Sequence, residues 1–303
     1  MTGGISMAVI MREYRKPQDY EKVNEFLIRT FNNHKYPNWP QPRWEYALYH
    51  PNWKEDLFKY IRLWADNGKI VGMVNVEHYP GEAFIQVDPE YSFLKSEIFN
   101  WADKNIYDED GNKKSLVIQI NEFDDELKEI AERKGYIKDE REQPWFTISK
   151  FNIPEKFPEI NLPDGFELKS LAEENDLYKL DRCLWKGFNH SGQPDYDVEG
   201  RKRMQSTPNF DKELNIVVVA PNGEYVAYSG IWMIPQFKTS YVEPVATDPS
   251  YRRMGLGKAA VLECIRRVGE RGGESAIVET ALPFYLSFGF RPIFQRYPWK
   301  KTT

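Results

Sequence analysis

Apolar and polar positions along this chain fall into two series with the same order. In the first half, alternating or helical spacing predicts a strand over Val9–Tyr14 and a helix over Tyr20–Phe31. Strands follow over Ile70–His78 and Ala83–Val87, then a helix over Tyr91–Lys104, a strand over Ser115–Ile120 and a helix over Asp124–Lys134. The second half offers Glu167–Ser170, Glu173–Cys183, Leu214–Ala220, Tyr225–Ile234, Tyr241–Thr247, Leu256–Gly269, Ser275–Thr280 and Leu282–Phe288 in matching sequence. Strands alternating with helices predict a mixed α/β fold, and the recurrence predicts an internal duplication.

The stretch from Ile153 to Gly165 carries three prolines and few long apolar runs, as a linker does. The expected division is a first domain over 1–153, a linker over 154–165 and a second domain over 166–303, which suits a 303-residue chain. Two cysteines, Cys183 and Cys264, are too few for a disulfide scaffold, and neither they nor the four histidines form a metal cluster. Both cysteines read as structural. No apolar run reaches membrane-spanning length, and Met1–Met7 lacks the pattern of a signal peptide, so the expected compartment is the cytoplasm. A net charge of −5 argues against a nucleic-acid-binding surface. Asp108–Lys114 reads as a solvated loop without calcium-loop spacing.

The candidate chemistry lies at Thr247-Asp248-Pro249-Ser250-Tyr251-Arg252-Arg253-Met254-Gly255-Leu256-Gly257-Lys258. Pro249 ends a strand, and Leu256, Ala259, Ala260, Leu262, Ile265 and Val268 begin a helix, with Lys258, Glu263, Arg266 and Arg267 available for a wetter face. The first N–H groups of that helix have no intrahelical partner, and Arg252, Arg253 and Lys258 add positive charge, so the turn suits a pyrophosphate. Read alone, such a turn is more often an ordinary strand-to-helix turn with surface arginines, since two glycines specify little. It is neither the phosphate loop of nucleotide hydrolases nor the dinucleotide fingerprint, whose third glycine is here Ala260.

Arg252-x-x-Gly255-x-Gly257 after an Asp-Pro pair resembles the acetyl-CoA-binding signature of the GCN5-related N-acetyltransferase (GNAT) family. Tyr285-Leu286-Ser287-Phe288-Gly289-Phe290 resembles the same family's Tyr-x-x-x-Gly-Phe element. The resemblance implies two curved mixed sheets flanked by helices, with acetyl-CoA as co-substrate and an amine as acceptor; a small-molecule amine is expected because residues 181–197 are rich in groups that could close a pocket. It implies that the backbone of Val245, Ala246 and Thr247 aligns the pantetheine arm, that residues 252–258, Met254 and Leu256 among them, hold the pyrophosphate, and that Tyr285 protonates the departing thiolate. The Val245 N–H is the candidate for polarising the acetyl carbonyl, and Arg252 either braces the turn or reaches phosphate.

Glu243 is the candidate base or substrate anchor, and period-two alternation puts it on one strand face with Tyr241, Val245 and Thr247. Trp185, His190 and Tyr241 are candidate acceptor contacts, in a region running on through Ser191–Asp197. Asp88-Pro89-Glu90-Tyr91 repeats Asp248-Pro249-Ser250-Tyr251, but in that register Ser92, Lys95 and Glu97 replace Arg252, Gly255 and Gly257, and Ala131 replaces Tyr285. The first copy therefore reads as the same fold without its cofactor site. A non-catalytic acyl-CoA sensor and a peptide-acetylating enzyme are the competing functions, and exposed strand edges allow a homo-oligomer.

Overall fold

The computed structural model describes residues 9–31, 37–111, 113–141, 143–194 and 196–303; Met1–Met7, Asn112 and Asp195 lie outside the described residues. The chain forms two compact units: Met1–Ala47 with Trp53–Phe146 and Phe294–Thr303, and Leu48–Asn52 with Thr147–Ile293.

In the first unit the sheet runs Ile10–Glu13, Arg62–Asp66, Lys69–Asn75, Glu82–Val87, Lys113–Asn121 and the C-terminal Arg291–Thr302. Its pairings are antiparallel except between Glu82–Val87 and Lys113–Asn121, which run parallel. The second unit repeats this plan with Glu167–Ser170, Ile216–Val219, Tyr225–Ile234, Thr239–Thr247, Ser275–Val278 and Thr147–Asn152, and its parallel pair is Thr239–Thr247 with Ser275–Val278.

The sixth strand of each unit comes from the opposite half of the sequence. Thr147–Asn152, expected in the first domain, pairs with Ser275–Val278, and Phe294–Thr303, expected in the second, belongs to the first unit. The units therefore do not coincide with 1–153 and 166–303. A strand offers the same ladder of donors and acceptors to any edge, so local pattern carries no information about which sheet receives it. The expected linker is also not free, because Phe157, Ile160 and Leu162 pack on the core of the second unit. Asp108–Asp110 pairs with Lys113–Ser115 as an exposed hairpin where a plain loop was expected.

Alternation along Ile216–Val219 explains the two faces of the second sheet. Ile216 and Val218 join Val226, Ile231 and Val242 beneath Leu256, Ala260, Val261, Ile265 and Val268 of the Leu256–Glu270 helix. Val217 and Val219 join Tyr225, Tyr228 and Ala246 on the other face, beneath Leu180, Cys183 and Leu184 of the Leu177–Gly187 helix. Each fully buried Val, Leu or Ile adds about 1.5–3 kcal/mol. The latter helix starts at Leu177, later than the sequence pattern predicts, because the Asp176 carboxylate accepts from the N–H groups of Tyr178 and Lys179 at 3.0 Å. Glu263 is not on a wet face: it is buried and grips Arg266 at 2.7 Å and Arg267 at 2.8 Å.

Candidate active site

Two local irregularities open the second sheet. The parallel pairing ends at Tyr241 opposite Ile277, so Val242–Thr247 part from Ser275–Val278. On the other edge, Ser229 faces Val245 while Ile231 faces Val242, leaving Glu243 and Pro244 opposite Gly230 alone. This is a β-bulge, and Pro244, which has no N–H to give a ladder, suits it. Glycine is required opposite, since a Cβ on Gly230 would stand 2.7 Å from the Glu243 carbonyl oxygen.

The bulge corrects the expected alternation. Val242 and Val245 pack on the same core and Ala246 on the opposite one, so Tyr241 lies across the sheet from Val245 and Thr247. Tyr241 is buried opposite Trp232, whose indole N–H donates to the Glu243 carbonyl at 3.0 Å.

The turn expected to hold phosphate is built from backbone. Arg253 and Gly255 take left-handed conformations at φ 68° and 85°. The first helical bond runs from the Ala259 N–H to the Gly255 carbonyl at 2.9 Å, and no side chain caps the helix. The N–H groups of Leu256, Gly257 and Lys258 therefore precede the helical ladder and are available to an anion. The Gly257 gap is filled by protein: a Cβ there would meet the Thr247 hydroxyl at 2.7 Å and the Phe284 ring at 3.5 Å. Gly257 thus sets how closely helix and strand approach, a reason the sequence did not disclose.

Arg252 braces the turn. Its guanidinium donates to the carbonyls of Thr247 at 3.2 Å and Gly187 at 2.9 Å, and to the Asn189 side-chain oxygen at 2.9 Å. It ties the end of the Leu177–Gly187 helix to the turn. Arg252→Ala is expected to weaken acetyl-CoA binding about tenfold by loosening these ties, with kcat at saturation little changed; isothermal titration showing unaltered affinity would contradict this.

Asp248 supports the turn from beneath, accepting from the Ser250 N–H at 2.9 Å and pairing with Lys186 at 2.9 Å. Burial pushes its carboxyl up, but Lys186 and Ser250 outweigh this and hold it below its ordinary value. A depressed folded-state value means the stabilisation is complete above the unfolded carboxyl value and is lost as pH falls through the folded one. Lys186→Met should therefore cost about 1–3 kcal/mol at pH 7, with melting curves of variant and parent converging below about pH 4.

Tyr285 sits at the end of the short Pro283–Leu286 helix, 8% exposed, its ring against Phe284, Phe288 and Phe290. Burial first, and then the charge of Glu243, push its phenol above the ordinary tyrosine value, so it keeps its proton. The carboxylate of the bulge and this phenol are thus within electrostatic reach of each other.

One cavity of 670 Å³ gathers Val245–Thr247, Arg252, Arg253, Gly255–Lys258 and Leu282–Tyr285. Met254, Glu243, Trp185, His190 and Tyr241 are not among its lining residues. Met254 is largely exposed on the turn. The Trp185 and His190 rings lie 4.8 Å apart, tilted by 35°, at the C-terminal end of the Leu177–Gly187 helix. The sequence reading missed Thr247 as a packing partner of Gly257, Lys186 as the counter-ion of Asp248, and Phe284 as a cavity wall.

The first unit reproduces the frame without the nest. Asp88 accepts from the Glu90 N–H at 3.3 Å and pairs with Arg29 at 3.2 Å, as Asp248 does with Ser250 and Lys186. Its parallel strands also part, after Phe84 opposite Gln119, and leave a 480 Å³ cavity. Yet Pro89–Leu94 passes directly into the Lys95–Asn105 helix with Leu94 and Lys95 in right-handed conformations. Lys95 pairs with Asp124 at 2.7 Å, and Glu97, expected to repel phosphate, instead accepts from the Trp64 indole at 2.7 Å. Ala131 is buried at the position of Tyr285; the Tyr136 N–H bonds to its carbonyl at 3.0 Å, as that of Phe290 bonds to Tyr285 at 3.3 Å.

A splayed mixed sheet, a bulged central strand and an uncapped helix start together define a mixed α/β protein with a cleft at the helix N-terminus. Residues 175–290 match the model of the acetyltransferase (GNAT) family. Over 79 residues the chain is 34% identical to glucosamine 6-phosphate N-acetyltransferase of Trypanosoma brucei brucei, covering 23% of this chain and 54% of that one. Over 178 residues it is 24% identical to mycothiol acetyltransferase of Saccharomonospora viridis, covering 54% of this chain and 57% of that one. The chain thus spans about half the length of these curated relatives.

Among solved structures, a GCN5-related N-acetyltransferase from Sphaerobacter thermophilus matches with TM-score 0.63 at 13% identity, over 97% of this chain and 95% of that one. A tandem GNAT protein from the clavulanic acid biosynthesis pathway matches with TM-score 0.62 at 11% identity, over 97% and 98%. These likenesses establish the fold. No helix among the described residues is long and apolar enough to cross a membrane.

Proposed function

We propose that this chain transfers an acetyl group from acetyl-CoA to a primary amine of a small molecule by direct attack. The observation that carries this reading is the convergence of the strand Val245–Thr247, the turn Arg252–Lys258 and Tyr285 on one cavity. The residues fit the co-substrate: left-handed Arg253 and Gly255 turn free N–H groups outward, and the parted strands leave backbone for a pantetheine arm.

In the proposed reaction the amine nitrogen bonds to the thioester carbon and the carbon–sulfur bond breaks. Glu243 receives or anchors the amine proton, Tyr285 returns a proton to the thiolate, and the Val245 N–H steadies the carbonyl oxygen. Trp185 and His190 remain proposed acceptor contacts. In this reading the second unit alone binds acetyl-CoA and the first, lacking left-handed turn residues and a counterpart of Tyr285, serves another purpose.

The names of the two curated relatives favour a small acceptor over a peptide. A mass-resolved acetylation screen of polyamines, amino sugars, aminoglycosides and peptide N-termini tests the reading. A small amine acetylated in step with thiol release is expected, and acetylation confined to peptides would overturn the acceptor class.

A further inference from the structure

Arg201 belongs to none of the motifs above. It projects from the Val198–Gln205 helix, whose start is fixed by the Asp197 carboxylate accepting from the Gly200 N–H at 2.8 Å. Its Nε donates to Asp181 Oδ1 at 2.8 Å. Asp181 is 2% exposed and lies on the sheet-facing side of the Leu177–Gly187 helix, beside Leu180 and Leu184. A carboxylate there costs stability unless something charged meets it, and packing alone would be better served by an apolar residue.

Only Nε of Arg201 is engaged by protein among the described residues, and Asp181 Oδ2 is buried without a partner. A guanidinium fixed through one nitrogen presents its remaining N–H groups as a fork matched to two oxygens of an anion.

On the proposed function, the amine arrives on the face of the sheet that carries this pair. Leu180, Cys183 and Leu184 of the helix carrying Asp181 pack with Tyr228, whose phenol donates to the Asn215 side-chain oxygen at 2.5 Å. A Cβ on Gly230 would lie 3.1 Å from that phenol oxygen and 2.7 Å from the Glu243 carbonyl oxygen, so Tyr228 and the bulge adjoin. Arg201 and Glu243 both act electrostatically on Tyr228, with opposite sign.

We propose that Arg201 reads an oxyanion on the amine acceptor, a phosphate or a carboxylate, with Asp181 as its positioning residue. The acceptor is then an amine that also carries a negative charge. This rests on the acetyltransferase reading for the amine but not for the anion, and the experiment separates the two.

Titration calorimetry, which needs no turnover, would compare glucosamine 6-phosphate, glucosamine and inorganic phosphate in the presence of CoA. Kinetics would follow with the two amines. The parent is expected to bind glucosamine 6-phosphate roughly 10- to 100-fold more tightly than glucosamine. Arg201→Lys keeps the charge but loses the fork, and should raise KM for the phosphorylated amine about tenfold with kcat and the neutral amine unaffected. Removing Arg201 alone strands a buried carboxylate and threatens folding, so the second variant is the double change Asp181→Asn with Arg201→Gln, expected to abolish the discrimination.

Equal affinity for both amines in the parent, equal effects of Arg201→Lys on both, or no Arg201-dependent binding of any anionic probe would each overturn the proposal. Arg201-dependent anion binding without acetylation of any amine would support it while refuting the acetyltransferase reading.

Discussion

Replacing Tyr285 by Phe is expected to lower kcat for amine-dependent thiol release by roughly 100- to 10,000-fold, with affinity for acetyl-CoA nearly unchanged. The ring stays packed against Phe284, Phe288 and Phe290 whether or not it carries a hydroxyl, so the substitution removes a proton and little else. Burial and the charge of Glu243 both hold the phenol protonated. A value raised above the ordinary tyrosine range means the proton is present throughout neutral and mildly alkaline pH. It is lost only beyond the usual value of about 10. The Tyr285→Phe deficit should consequently be constant between about pH 7 and pH 9.5, and the parent should show no fall in rate over that window from loss of this proton. An unchanged kcat would mean that the thiolate takes its proton elsewhere.

The second large effect is expected at Gly257. A methyl group there would stand 2.7 Å from the Thr247 hydroxyl, within a wall also made by Phe284, so either that side chain turns away or the helix shifts from the strand. Overpacking of this kind costs about 1–3 kcal/mol. Because Thr247 and Gly257 both line the cavity, the displaced N–H groups should lose acetyl-CoA affinity by more than about tenfold. Thr247→Ala on top of Gly257→Ala removes the obstructing hydroxyl and should restore much of the stability and part of the affinity. Titration showing normal binding to Gly257→Ala would refute the claim that this approach shapes the turn.

Part of the cavity lining was legible because its determinants are local. Gly255 starts a helix and Tyr285 lies just before one ends, and a few neighbouring residues reveal both. The bulge was not, because it depends on register against Gly230. Pro244 inside a strand was the available sign, and period-two counting across it misplaced Tyr241 relative to Val245. Arg252 was left between two roles because its partners Gly187 and Asn189 lie more than sixty residues away. The exchanged strands Thr147–Asn152 and Arg291–Thr302 were invisible for a related reason, since nothing in a strand's own sequence names the edge it joins.

Comparison of the two copies carried more than either did alone. Asp88 with Arg29 and Asp248 with Lys186 show the same pair under the same turn, so the frame does not distinguish the units. What differs is the backbone after it, left-handed at Arg253 and Gly255 but not at their counterparts Phe93 and Lys95. The missing glycine therefore matters more for conformation than the added carboxylate of Glu97 matters for charge.

The most direct test of the central claim is to mix the purified chain with acetyl-CoA and an amine panel while following free thiol and product mass together. Thiol release that requires an amine is expected, matched one for one by an acetylated product and reduced in both Tyr285→Phe and Gly257→Ala. Binding of acetyl-CoA with no amine-dependent thiol release from any member of the panel would contradict it.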